Sequence, residues 1–310
     1  MNLAGKLGAY SKLGAYWELS KPRLSALAVF AVVAGIYMAW PAKTRNPPLD
    51  LLLMTTIGTF CAAAGAGALN MFIERERDPL MKRTQGRPLP TGRLSPREVL
   101  LFGIVAALLG VGLVLFGAAP LEPDGTRHLG QLNWVAAGLC AAIVVSYVAI
   151  YTPMKVRTPL NTLVGAIPGA LPPVVGHAAL AGKLVLPQLV LFMIVFCWQI
   201  PHFLSIAWRY REDYAAAGMR MLPVLDPTGV RTGVTMLLYM GGLGIASTIP
   251  FVTGMAGERY IVIAVLLDVL FFVPTLFAAL TRKSVAMRMT FLVSIVYLPL
   301  LFVAMVWDRS

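Results

Sequence analysis

The chain has 310 residues, of which 58% are hydrophobic and only 13% charged, with a mean hydropathy of +0.75 and a formal net charge of +12. A soluble domain carries about a quarter charged residues, so the composition excludes a water-soluble enzyme and specifies an integral membrane protein.

In chain order, apolar stretches long enough to span a bilayer fall near 24–40, 50–70, 98–118, 132–151, 160–181, 186–207, 232–254, 260–280 and 289–307. They are too long and too evenly apolar for barrel strands, and backbone in lipid must satisfy its own hydrogen bonds. The expected fold is therefore an all-α integral membrane protein, a bundle of nine transmembrane helices over 24–310 preceded by a cytoplasmic tail over 1–23. That tail contains KLGAY twice, lacks the apolar core and cleavage site of a signal peptide, and is expected to lie on the membrane surface. With nine spans, twenty of the 26 Lys and Arg fall in the tail and in the loops after even-numbered helices. By the positive-inside rule that side is cytoplasmic and the C-terminus opposite, in the cell inner (plasma) membrane. The net charge is then mostly topology, with no nucleic-acid footprint.

The second span runs into NMFIERERDPLMKRTQGRPLP, where Asn70, Glu74 and Asp78 recur every four residues and so share one helical face. Pro79 disfavours helix at the residue before it, so the helix is expected to end at Asp78. Carboxylates at a helix C-terminus oppose the dipole at about 0.3–1 kcal/mol each, and two of them about 6 Å apart repel by about 2.8 kcal/mol at an effective dielectric of 20. Two compensations compete: ion pairs with the interleaved Arg75 and Arg77, or a divalent cation. Mg2+ takes carboxylate and amide oxygens together with phosphate oxygens, and Lys82, Arg83, Arg87 and Arg93 downstream suit phosphate.

The segment YTPMKVRTPLN adds Lys155 and Arg157, and RYREDYAAAGMRMLPV adds Arg209, Arg211, Glu212 and Asp213. The loops over 71–97 and 208–231 follow helices separated by four spans, so they open on the same face in the manner of an internal duplication. Small-residue runs such as AAAGAGAL and GAIPGALPPVVG leave room for an apolar tail between helices or allow close helix approach. Cys61, Cys140 and Cys197 lie within spans without metal-type spacing and read as small apolar residues. His202 follows Pro201 near the cytoplasmic end of the sixth span, where histidines are functional or hydrogen-bonded within the bundle; His177 lies near the far end of the fifth, and His128 in a loop reads as solvated. Asp268, inside the eighth span, has no evident partner in the sequence.

Three blocks carry a family likeness: NMFIERERDPLMKRTQGRPLPTGRLSP, YTPMKVRTPLNTLVGAIPGALPPVVGHAA and PHFLSIAWRYREDYAAAGMRMLPV, spanning Asn70 to Val224. They resemble the motifs of the intramembrane UbiA-type prenyltransferases, and the last block resembles the branch that farnesylates protohaem IX. Glu74 stands where the family pattern usually has Asp, and Arg209 replaces the first acid of its second acidic motif.

The resemblance implies Mg2+ as cofactor, farnesyl diphosphate as donor and haem b as acceptor, with water added to give haem O. It further implies that Asn70, Glu74 and Asp78 hold the metal, with Asp213 as a second-loop ligand or positioning acid. Arg83, Arg87, Lys155 and Arg209 would contact the diphosphate; Arg157 and Arg211 would serve it too or pair with haem propionates. His202 is the first candidate haem contact, with a hydrogen-bonded core histidine as the alternative, and His177 the second. A quinone precursor as acceptor, or a transporter of anionic phosphates or porphyrins, are the competing readings. Association with a downstream haem-modifying enzyme is left open by the resemblance.

Overall fold

The computed structural model describes residues 12–41, 46–117, 120 and 130–309, without the side chains of residues 23 and 24. Residues 1–11 of the tail, and His128, lie outside the described residues. In chain order the helices are α1 (residues 12–19), α2 (Pro22–Ala39), α3 (Leu49–Ile73), α4 (Pro96–Gly117), α5 (Trp134–Val145), α6 (Thr152–Met154) and α7 (Asn161–Ala170). There follow α8 (Pro172–Ala181), α9 (Leu186–Arg209), α10 (Arg211–Ala216), α11 (Val230–Val252), α12 (Glu258–Thr281) and α13 (Ser284–Trp307).

Among the described residues, eight helical segments are long and apolar enough to cross a membrane, and the first apolar segment, Ser25–Ala39 in α2, is shorter. Large apolar side chains such as Leu101, Leu108, Val262 and Leu266 are exposed on the outside of the bundle, as a lipid-facing surface requires.

Two spans differ from the unbroken rods read in the sequence. The fourth passes from α5 through a π-helical segment, Ser146–Tyr151, into α6. The fifth is divided at Leu171 into α7 and α8, because Pro172 and Pro173 supply no amide hydrogen to the turn before them. The tail also differs. Its second half is a helix, α1, whose Ala15 and Leu19 are fully buried against Ala68 and Met71 of α3 and Val99 of α4.

The bundle is built on close crossings: α3 runs along α4, α2 along α8, and α12 along α13. At the α2–α8 crossing a Cβ on Gly35 would stand 2.0 Å from the Pro173 carbonyl oxygen, and one on Gly176 would stand 2.0 Å from that of Val32. The two backbones are in contact, which is how small residues stabilise helix pairs in lipid. Asp268 also finds its place. Its carboxylate accepts from the Tyr297 hydroxyl at 2.6 Å and the Ser247 hydroxyl at 2.7 Å, joining α12 to α13 and α11.

A leucine at Gly176 must part α2 from α8, and overpacking of this kind costs about 1–3 kcal/mol or more. Gly112 faces open space. The thermal midpoint of the detergent-solubilised protein should fall for Gly176→Leu and hold for Gly112→Leu; equal effects would remove the crossing from the explanation.

Candidate functional site

The three residues singled out at the end of the second span remain stacked, although α3 ends at Ile73 and not at Asp78. The Glu74 amide donates to the Asn70 carbonyl at 2.9 Å, and the Asp78 amide to the Glu74 carbonyl at 2.9 Å. One further turn, residues 74–77, therefore continues past the helix end before the short 3-10 helix Asp78–Leu80 begins. The helix stops early because Glu74 already leaves helical geometry, with φ −86° and ψ 4°.

All three side chains are buried, and each meets a base from elsewhere. Glu74 Oε1 lies 2.8 Å from Lys155 Nζ, 81 residues away. Asp78 accepts from Arg87 Nη1 at 2.7 and 2.9 Å. Asn70 Oδ1 accepts from Lys21 Nζ at 3.1 Å while its Nδ2 donates to Thr152 Oγ1 at 3.1 Å. The interleaved arginines are not the partners: Arg75 pairs with Glu76 at 3.3 Å and lies over the Phe72 ring. Arg75, one place on from Glu74, leaves its helical face, and the α-helix has ended at Ile73, so helical spacing no longer governs Arg77.

Lys21, Asn70, Glu74, Arg83, Arg87 and Lys155 border a polar cavity of about 240 Å³ that Tyr147, Tyr151, Thr162, Phe203 and Tyr214 complete together with Met81, Ile206, Met219 and Met221, and Asp78 adjoins it through Arg87. The loops after α3, α6 and α9 thus meet at one end of the bundle. The Arg83 amide donates to Asp213 Oδ2 at 3.2 Å, its Nη2 to the Tyr214 hydroxyl at 3.1 Å, and the Arg220 amide donates to the Lys155 carbonyl at 2.6 Å. Arg83 also lies 5.3 Å from the ring centroids of both Tyr210 and Tyr214, and Lys155 lies 4.7 Å from that of Tyr151.

The electrostatics follow from burial and crowding. Burial alone would raise the Glu74 pKa, but Lys155, with Lys21 and Arg87 behind it, holds the carboxyl below its ordinary value. Asp78 goes the other way, since burial outweighs what Arg87 returns. Burial would lower Lys155, yet Tyr151 and Glu74 keep it above the lysine range. Lys21 is pushed down to about 7, by burial first and then by the positive charges of Arg87 and Lys155. Lys21 is thus the cation that the cavity disfavours, and an anion placed beside it would restore its charge.

Other expected site residues stand apart. Asp213 is absent from the cavity lining and meets it through the Arg83 backbone. Arg157 is exposed, Arg209 lies over Tyr210 at 5.7 Å and Arg211 over Trp208 at 4.9 Å. His202 turns from the cavity toward α13: its Nδ1 is 2.6 Å from Ser294 Oγ, and its ring stacks on Trp198 at 5.0 Å. His177 is buried with Gln188 at 3.2 Å. Reasoning from sequence missed Lys21, Tyr147, Tyr151, Thr162 and Tyr214. The spacing of four through Tyr147, Tyr151 and Lys155 was a usable signal, and the π-helical turn it occupies is a form frequent at functional sites.

Among the described residues no three His, Cys, Asp or Glu side chains cluster as a metal site. A cation here would rest on two carboxylates, one amide oxygen and oxygens of its substrate, the set Mg2+ accepts. The residues fit that ion, since each of the three oxygens already accepts from a basic side chain.

The family profile described as "UbiA prenyltransferase family" matches residues 28–307. The chain is 42% identical over 300 residues to a protohaem IX farnesyltransferase of Solibacter usitatus, covering 95% of this chain and 98% of that one. It is 40% identical over 297 residues to one of Azoarcus, covering 95% and 93%. Among solved structures, a digeranylgeranylglyceryl phosphate synthase superposes with a TM-score of 0.74 at 17% identity, covering 96% of this chain and 98% of that one. A UbiA homologue of Archaeoglobus fulgidus bound to DMAPP and Mg2+ superposes at 0.61 and 18% identity, covering 94% and 99%.

Glu74→Gln leaves the buried Lys155 ammonium without its carboxylate, a loss of about 3–5 kcal/mol for pairs of this kind. Combining it with Lys155→Met should recover about 0.5–3 kcal/mol of that as coupling, read from thermal or denaturant midpoints. Because the folded pKa of Glu74 is depressed, the pair stabilises above the ordinary glutamate pKa and is lost as pH falls through the lowered value. The cost of Glu74→Gln should therefore shrink in acid; additive, pH-independent effects would exclude a stabilising pair.

Proposed function

The chain belongs to the UbiA prenyltransferase family, and on that premise we propose that it transfers a farnesyl group from farnesyl diphosphate to a vinyl group of haem b, with addition of water, giving haem O. The observation that carries this reading is the polar cavity at one end of an apolar bundle, where Lys21, Arg83, Arg87 and Lys155 converge beside Glu74. That charge pattern suits a diphosphate. The relatives named protohaem IX farnesyltransferase, matched over nearly their whole length, support haem as the acceptor. We further infer that the cavity end faces the cytoplasm, where most of the basic residues gather.

In this reading Asn70, Glu74 and Asp78 would hold Mg2+, which when bound supplies Lewis-acid stabilisation of the diphosphate oxygens. The cations that now neutralise Glu74 and Asp78 are the ones the substrate recruits. Lys155 and Arg87 stand within one side-chain movement of an anion placed between them, and Arg83 is steered toward the same space by its tyrosines. As the C1–O bond of the donor breaks, its electron pair leaves on the diphosphate, and these three side chains hold that charge. The terminal vinyl carbon of haem forms the new C–C bond to C1. Water then adds to the adjacent carbon and loses a proton, which completes the hydroxylated side chain. A largely apolar groove of about 430 Å³, lined by Leu163, Ile200, Leu204 and Leu222 together with Arg231, shares Thr162 with the polar cavity and offers a place for the apolar part of a substrate.

Membranes containing the protein, given haem b, farnesyl diphosphate and Mg2+, should yield haem that has gained farnesyl plus water, resolved by chromatography with mass detection. EDTA should abolish the product, and Asp78→Ala or Arg87→Ala should reduce turnover by roughly 100-fold or more, the scale of losing one charge-stabilising group. Unmodified haem beside a prenylated quinone precursor would refute the acceptor and keep the diphosphate site. No prenylation of either would refute the transferase reading.

A further inference from the structure

Of the four cations around the cavity, Arg87 and Lys155 are neutralised by Asp78 and Glu74, and Arg83 rests against two tyrosines. Lys21 differs. Its ammonium meets the neutral amide oxygen of Asn70 at 3.1 Å, and its stem passes Gly67, where a Cβ would come within 3.3 Å of Lys21 Cδ. The chain delivers Lys21 there by effort. The residue is held in the left-handed region, with φ 47° and ψ 57°, a conformation an L residue adopts against its preference and one that clusters at functional sites.

The helix that precedes it acts as the lever. α1 is anchored in the apolar seam with α3 and α4 through Ala15 and Leu19. Its ends are pinned by Lys12 to Glu98 at 2.9 Å and Glu18 to Arg93 at 2.7 Å. The turn between α1 and α2 is closed by bonds from the Lys21 amide to the Glu18 carbonyl at 3.1 Å and from the Ser25 hydroxyl to the Ser20 carbonyl at 2.9 Å.

Resting on the diphosphate reading above, we infer that Lys21 is a diphosphate-binding residue and that α1 is part of the active site, set against the bundle so as to carry this ammonium into the cavity beside Asn70. The Lys21 side chain has only an amide oxygen to give up when an anion arrives, whereas Arg87 and Lys155 must first be drawn from Asp78 and Glu74. Lys21 then meets the diphosphate without the breaking of an ion pair.

The test is titration of the detergent-solubilised protein with inorganic diphosphate and Mg2+ by calorimetry. Lys21→Met should weaken binding about 10- to 100-fold, the value of one charge-assisted hydrogen bond, and Lys21→Arg should recover most of it. A second measurement needs no variant. Reductive methylation of the unmodified protein, mapped by mass spectrometry, should label Lys21 freely, and magnesium diphosphate should protect it. Undiminished binding by Lys21→Met, or labelling of Lys21 that diphosphate does not slow, overturns the inference while leaving the transferase reading in place. If the parent protein binds no diphosphate in any form, that reading fails and this inference falls with it.

Discussion

The Glu74–Lys155 contact, 2.8 Å long and almost closed to solvent, joins the end of α3 to the segment after α6, and the site depends on it. Removing two charges from water is expensive, and attraction between them repays the cost only with good geometry and further hydrogen bonds. Here the geometry is supplied from outside the pair. The Lys155 ammonium lies over Tyr151, and the Lys155 carbonyl accepts from the Arg220 amide, so the loop bearing the lysine is fixed at both backbone and side chain. Asp78 and Arg87 repeat the device over nine residues, with the Thr84 hydroxyl donating to the Asp78 carbonyl at 2.7 Å to hold the turn between them. Buried ion pairs of this sort are weak sources of net stability, but they impose a unique arrangement on loops that lipid alone would leave unspecified.

The repulsion expected between neighbouring carboxylates at a helix end is met by bases from outside the ERERD segment. Salt bridging and cation binding are the two ways to relieve it. The two are compatible in the reading proposed above, in which the oxygens that accept from Lys155, Arg87 and Lys21 would turn to a metal as those bases turn to a phosphate.

Hydropathy made the membrane class and the helix positions legible, since a twenty-residue apolar run has few other uses. Helix boundaries near proline were less so: Pro172 and Pro173 divided a span that composition alone presents as continuous. Asn70, Glu74 and Asp78 with the bases at 83 and 87 could be read because their spacing is local, and Lys155 because its charge is unusual in an oily chain. Their pairing could not, because it is set by where three loops converge. His202 shows the same limit. Its position near the mouth of a span suggested a role at the cavity, but one step of about 100° around α9 separates Phe203, which lines the cavity, from His202, which faces Ser294 on α13.

Lys21 was the least legible of all, and the reason is physical. Within the first 23 residues it is one of four bases in a polar stretch, and nothing in its neighbours distinguishes it from a charge that sets topology. Its placement follows from burial of Ala15 and Leu19, small contacts that only the assembled α3–α4 surface can offer. A positive-inside tail and a substrate-binding element ask for the same residue type at the same side of the membrane. Topology requires only that the charge stay there, whereas binding requires a fixed direction. The left-handed backbone at Lys21 and the closed turn around it meet the second requirement, and orientation in the membrane gives no reason for either.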